Sequence, residues 1–282
     1  MFRSSPSRKS EPFFLVSPGL LFLILAFFMP ALHMLSLSLI APENEGGGLT
    51  FAHYAKFFKD GYYAGIAQRT FRLSFLITTI CLITGFPLAL IIKRSPPWLR
   101  TGLILLVILP LMTSVVIRTF GWLVILGPGG MLSWVLQSLQ IIDNQISLMH
   151  SEIGIVIAMV HVLLPFMVLS MLGSLKRIGS DLEEAGRVMG ANFMRTIWHI
   201  NLPLAMPGLV SGSLLVFALS ISSFITPSLV GGVRLPMMAG SIYQQVTGSF
   251  DWGFAAALSV LLLGATLILI VPYMKIFRSK GY

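Results

Sequence analysis

The chain has 282 residues, 56% of them hydrophobic and only 10% charged, where soluble domains run to about one quarter charged. A mean hydropathy of +0.88 leaves too little polar surface to coat a soluble particle, so the natural solvent is a bilayer. The formal charge of +9 would suggest nucleic acid on a soluble chain, and the lone cysteine, Cys81, excludes an internal disulfide or a Cys/His metal cluster.

In chain order, Arg3, Arg8 and Lys9 precede an apolar run over 13–40. The run is too long for a signal-peptide core and lacks a small-x-small cleavage site before Pro42, so it is expected to be a retained first span. Further apolar stretches fall at 72–92, 101–126, 152–174, 203–230 and 254–277. Each is about 20 residues or more, enough to cross a hydrocarbon core about 30 Å thick. The expectation is an all-α membrane protein of about six transmembrane helices forming one domain over 1–282. Most spans carry a proline, such as Pro110, Pro165 and Pro207, which neighbouring helices can accommodate in a bilayer. Gly208 and Gly212 give one small-xxx-small spacing, a weak sign of close helix approach.

The basic residues set the orientation. With the N-terminus inside, the inner segments hold Arg3, Arg8, Lys9, Lys93, Arg94, Arg100, Lys176, Arg177, Arg187, Arg195, Lys275, Arg278 and Lys280. The outer segments hold Lys56, Lys59, Arg69, Arg72, Arg118 and Arg234, alongside the acids Glu43, Glu45, Asp60, Asp143, Glu152 and Asp251. Both termini are therefore expected to be cytoplasmic. The net charge is a topology signal, and no nucleic-acid partner is expected. Loops at 41–71, 127–151 and 228–253 face outward, and the loop 175–202 faces the cytoplasm.

That cytoplasmic loop carries the most information. Ser180 and Glu183 have capping-box spacing, predicting a short helix to about Met189. Gly190 is placed to end it in a left-handed cap. Leu182, Ala185, Gly186 and Met189 share one face of small and apolar side chains, and Glu183 and Arg187 stand four apart as an ion pair. Asn192 is placed to cap a second short helix running into the fifth span. A helix lying in the lipid headgroups is one reading. The small-residue face and the acids fit a close protein groove better.

The run Glu184-Ala185-Gly186, three residues, Gly190, nine residues, Ile200-Asn201-Leu202-Pro203 resembles the EAA loop of bacterial ABC-importer permeases. The family pattern is Glu-Ala-Ala-x3-Gly-x9-Ile-x-Leu-Pro, from which only Gly186 departs. It keeps the face small while weakening the helix by about 1 kcal/mol. The resemblance implies the type I ABC importer permease fold in the bacterial inner membrane. It implies a coupling helix made by Leu182, Glu183, Glu184, Ala185, Gly186, Met189 and Gly190 that sits in a groove of an ATPase subunit. The implied partners are two ABC ATPase subunits that bind the ATP and magnesium, a second permease (a distinct homologue of this chain), a periplasmic solute-binding protein and membrane lipid. This chain itself would hold no cofactor or metal.

The blocks Ser17-Pro18-Gly19-Leu20, Leu109 to Trp122 and Ile225 to Gly232 are similar to spermidine/putrescine-type permeases. That resemblance implies a small organic amine, a polyamine foremost, as solute. Relatives for opines, aminophosphonates or other small amines and anions share such segments. None of the ten acids falls in the interior of the six predicted spans; Glu152 stands at the edge of one. The candidate path therefore offers rings, hydroxyls and carbonyls: Trp122, Ser222, Ser223, Phe224 and Thr226, with cation–π contacts worth about 0.5–2 kcal/mol each. Arg118 is the one charge in the interior of a predicted span, while Arg72, Glu152 and Lys275 stand at span ends. It either meets the solute or hydrogen-bonds helix-end carbonyls. His161 reads as a satisfied histidine within its helix.

No G-x-x-x-x-G-K-[ST] loop occurs, so the ATPase must be another chain, and no nucleophile–base pair or H-E-x-x-H supports an enzyme. An ion-coupled secondary transporter is the more distant alternative, but it would need intramembrane acids.

Overall fold

The computed structural model describes residues 11–41, 48–141, 144 and 146–279. Arg3, Arg8, Lys9, Lys280, Glu43, Glu45 and Asp143, which bear on the orientation, lie outside the described residues. The first helix, α1 (Glu11–Leu39), is followed by the short α2 (Ala52–Lys59) and the long α3 (Gly61–Arg94). The Asp60 carboxylate accepts the Tyr62 amide at 2.9 Å and starts α3. At 1.5 Å per residue α3 is about 51 Å long, so it begins well before the predicted 72 and projects beyond a bilayer core.

The predicted third span is two helices, α4 (Pro97–Met112) and α5 (Val115–Leu126). Thr113 and Ser114 between them are extended, at ψ 146° and 136°. Pro110 has no amide to donate back one turn, which weakens the end of α4 before the break. A turn at 127–130 leads to α6 (Met131–Ser138). The six segments long and apolar enough to cross are Val16–Leu39, Gly61–Arg94, Val115–Ser138, Glu152–Leu175, Phe193–Ile221 and Trp252–Lys275, with Pro97–Met112 a shorter apolar helix.

The centre of the molecule is α7 (Glu152–Leu175), started by the Ser151 hydroxyl accepting the Gly154 amide at 3.0 Å. It buries Ile155, Met159, Met167, Met171 and Leu175 against α3 and against α10 (Leu202–Ile221). Gly208 and Gly212 face α7. A Cβ on Gly208 would stand 2.6 Å from the Ser174 hydroxyl, and one on Gly212 would stand 2.9 Å from the Met167 sulfur. The small residues thus let two backbones approach closely.

Between α7 and α10 come α8 (Ser180–Val188) and α9 (Phe193–Thr196). A π turn over Ile197–Asn201 then joins α9 to α10. Pro203, in the first turn of α10, cannot donate the regular bond back. The Leu202 amide reaches the Ile197 carbonyl instead, one residue further than in an α-helix. The predicted fifth span, 203–230, breaks after Ile221, and α11 (Ile225–Gly231) is separate. Last come α12 (Met238–Thr247) and α13 (Trp252–Ser279), the latter packed against α1. On α1, Leu21, Phe22, Phe27 and Met29 are well exposed, apolar side chains that a bilayer solvates.

Candidate coupling helix and solute path

The sequence places Ser180 at the helix cap, but the cap position is Gly179 and Ser180 is the first residue of α8. Glu183 does not close a capping box. It turns inward and meets the last turn of α3, where Lys93 Nζ lies 2.7 Å from one carboxylate oxygen and Arg94 Nη2 lies 3.0 Å from the other. These partners take the place of the predicted Arg187. Two cations at the C-terminus of α3 also complement its dipole. Burial pushes the Glu183 carboxyl up, but the Lys93 hydrogen bond and the charges of Lys93 and Arg94 outweigh that and hold it below the usual carboxylate range.

Gly186 turns inward with Glu183, one turn on. A Cβ at Gly186 would stand 2.7 Å from Ile200 Cδ1. The predicted apolar face is therefore divided. Leu182, Ala185 and Met189 are exposed, and Val188, which the motif does not single out, is 89% exposed beside them. Glu184 is also exposed. Gly190 ends the helix at φ +83°, a conformation that L side chains rarely adopt. Its amide donates to the Arg187 carbonyl and the Ala191 amide to the Gly186 carbonyl, both at 2.9 Å, the two bonds of a Schellman cap. The Asn192 side chain then caps α9 by accepting the Arg195 amide at 2.8 Å. Arg94 returns here: its guanidinium sits 4.7 Å from the centroid of the Phe193 ring.

The candidate path residues lie at the other end, around α5, α7 and α11. Arg118 Nη2 donates to the Thr113 carbonyl at 2.8 Å and Nε to the Thr113 hydroxyl at 3.3 Å, tying α5 to the end of α4. One turn on, Trp122 Nε1 donates to His161 Nδ1 at 3.3 Å, with the rings edge to face. His161 is thus satisfied between helices and not within its own. The buried Thr226 hydroxyl lies 3.1 Å from that of Thr119, joining α11 to α5. Ser223 donates to the Met159 sulfur at 3.4 Å, and Phe224 stacks on Tyr243 at 4.4 Å. Ser222 is exposed and donates to the Ala218 carbonyl at 2.9 Å. Arg118, Trp122 and Thr226 therefore share one helix junction, whereas Ser222, Ser223 and Phe224 occupy the break between α10 and α11.

Two features lie outside the sequence reading. A cavity of about 330 Å³ opens between α3, α10 and α13, lined by Phe75, Thr78, Phe217, Ile270 and Tyr273 among others. Lys93 and Arg94 count in the sequence only as topology signals, because the predicted second span stops at 92 and nothing local ties them to Glu183. At the end of α7 opposite the 175–202 loop, Glu152 is held by Arg69 at 3.5 Å and by Arg72, so its charge is compensated where α7 begins.

Residues 61–275 match the family described as the binding-protein-dependent transport system inner membrane component. The chain is 30% identical over 265 residues to the spermidine/putrescine transport system permease protein PotB of Haemophilus influenzae, covering 92% of each chain. It is 33% identical over 198 residues to the molybdenum transport system permease protein ModB of Mycobacterium bovis, covering 68% of this chain and 72% of that one. Its backbone is similar to a chain in the crystal structure of a bacterial alginate ABC transporter in complex with an alginate pentasaccharide-bound periplasmic protein. The TM-score is 0.80 at 17% identity, covering 94% of this chain and 93% of that one. At that identity the likeness is one of fold.

Proposed function

The chain belongs to the family of binding-protein-dependent transport system inner membrane components, a permease subunit of an ABC importer, and on that premise we propose that its solute is a polyamine, putrescine or spermidine. The observation that carries this reading is the 30% identity to a polyamine permease over 92% of both chains. The composition of the spans agrees with it. Among the described residues their interiors hold no acid, and Glu152, at the edge of one span, is compensated by Arg69 and Arg72. A polyamine would pass rings and hydroxyls such as Trp122, Ser222, Ser223, Phe224 and Thr226. Weak cation–π contacts suit transit, and tight recognition falls to an external binding protein.

The assembly comprises this subunit, a second permease, two ABC ATPase subunits that bind ATP and magnesium, and a periplasmic solute-binding protein. Both termini face the cytoplasm, a reading supported by the excess of basic residues in the segments on that side. The α8 helix docks in an ATPase groove with Leu182, Ala185, Val188, Met189 and the exposed Glu184 outward, its end fixed by the Gly190 cap. ATP-driven closure of the ATPases moves α8. The continuous segment from α9 through the π turn carries that motion into α10 and rocks the path between the two permeases.

The test is ATPase activity of the reconstituted transporter with its binding protein loaded in turn with putrescine, spermidine and non-polyamine amines. Stimulation by a polyamine alone supports the assignment. Stimulation only by an opine, an aminophosphonate or another anionic or zwitterionic amine keeps the importer and replaces the solute. Uptake in a gradient by this chain alone, without ATP, would return the secondary-transporter reading.

A further inference from the structure

The coupling reading sends motion from α8 into α10 through the covalent chain. The side chains show a second route. Glu183 is only 8% exposed, so it is not available to an ATPase surface. Its two oxygens are instead divided between Lys93 and Arg94, the last two residues of α3. Arg94 also covers the Phe193 ring at 4.7 Å, so one guanidinium touches both α8 and α9. The segment after α3 is fixed as well. Arg100 Nη2 donates to the Lys93 carbonyl at 2.8 Å and to the Ser95 carbonyl at 3.2 Å.

From this geometry we propose that Lys93 and Arg94 are positioning residues for coupling: they clamp Glu183 so that α3 moves with the coupling helix when the ATPases close. The inference rests on α8 being the coupling helix. Two consequences distinguish it from simple packing. A buried carboxylate left without its cations is costly, so the three groups must stay together through the cycle. And because α3 reaches the far side, where Arg69 and Arg72 hold Glu152, a clamp at the α8 end of α3 delivers motion directly to the start of α7. The α10 route reaches α3 only through helix packing, whereas the clamp joins α3 to α8 directly.

The experiment uses the complete transporter, reconstituted with both permeases, the ATPases and the binding protein, and reads solute imported per ATP hydrolysed together with co-purification of the ATPases. Glu183→Gln and Lys93→Met should each lower the ratio by about tenfold, the size of a typical coupling between sites. The double variant should fall no further than either single one, as expected for groups acting through one contact. Lys93→Arg, which keeps the cation, should stay near the parent. In a separate test, Lys93→Cys combined with Glu183→Cys should be uncoupled. Bridging the pair with a short bis-thiosulfonate reagent, each cysteine displacing a sulfinate to form a mixed disulfide, should restore coupling. The single native thiol of this chain, Cys81, is buried, and the partner subunits are used in cysteine-free form.

An unchanged ratio in Glu183→Gln and Lys93→Met overturns the clamp. So does loss of ATPase co-purification, which would make Glu183 part of the docking surface, and so does arrest of the bridged pair. If Glu184→Lys and Gly190→Arg uncouple transport while the Glu183 and Lys93 variants do not, the clamp fails alone. If none of the four uncouples, the coupling-helix assignment fails with it.

Discussion

Ile200 Cδ1 occupies the space a β-carbon on Gly186 would need, 2.7 Å from its ideal position. These two residues stand at opposite ends of the EAA loop, Gly186 on α8 and Ile200 in the π turn. The departure of residue 186 from the family's alanine thus has a packing partner within the same motif. Removing one methyl from the helix lets the isoleucine tip seat against it and brings the loop's two halves together.

The pair makes a stability prediction with two opposed terms. Gly186→Ala gains about 1 kcal/mol of helix propensity but meets Ile200 Cδ1, the far end of a flexible side chain. Ile200→Val removes that atom. Gly186→Ala should therefore raise the melting temperature of the detergent-solubilised transporter more in the Ile200→Val background than in the parent. An equal shift in both backgrounds would show that the two side chains do not meet.

A second prediction concerns the outward face. Glu184 is exposed, and Gly190 sits at φ +83° with open space for 4 Å around the point where a β-carbon would stand, so its constraint is conformational. A non-glycine residue in that conformation costs about 1–2 kcal/mol. Glu184→Lys and Gly190→Arg should both insert normally and lose binding-protein-dependent uptake. Gly190→Ala should lose less, by the cost of the cap alone. Normal uptake in Glu184→Lys at normal membrane abundance would remove the docking role.

What the sequence makes legible follows the range of the interactions. The ending of α8 at Gly190 and the capping of α9 by Asn192 are local, and both positions can be read from residue type alone. The membrane character and the helical class follow from composition. The direction of Glu183 escapes such a reading because Ser180 and Arg187 are its sequence neighbours, while the cations that hold it lie 89 and 90 positions away. The break at Thr113 and Ser114 escapes it too. The run 101–126 is long and apolar enough to read as one span despite Thr113, Ser114 and Arg118, and mean hydropathy carries no record of where a bilayer helix turns. Arg118 marks that break, since its guanidinium bonds the residue at which α4 stops.

The Glu183 clamp also sets a pH dependence. Burial raises this carboxyl, but Lys93 and Arg94 lower it further, leaving it below the usual value of about 4.3. A carboxyl whose folded value is depressed contributes stability that is fully present above its unfolded value and is lost as pH falls through the folded one. Hydrogen exchange of the α8 amides should therefore be flat in protection between about pH 7 and 5 and loosen only below the usual carboxylate range. In Glu183→Gln the same amides should exchange faster at neutral pH and show no such acid step. Loosening of the wild-type helix between pH 7 and 5 would contradict the depressed value.

The last prediction separates two roles for Arg118. Its guanidinium bridges the Thr113 hydroxyl and carbonyl at 3.3 and 2.8 Å, across the break between α4 and α5. That geometry needs a planar fork, which lysine lacks. If Arg118 holds the junction, Arg118→Lys should behave like Arg118→Met. Both should lower the melting temperature by the loss of a charged hydrogen bond, about 1.5–3 kcal/mol, with the order of solutes that stimulate the ATPase unchanged. If Arg118 meets the solute, Lys should preserve that order while Met alters it, because the charge and not the fork would then be recognised. The contact with Thr113 favours the first outcome.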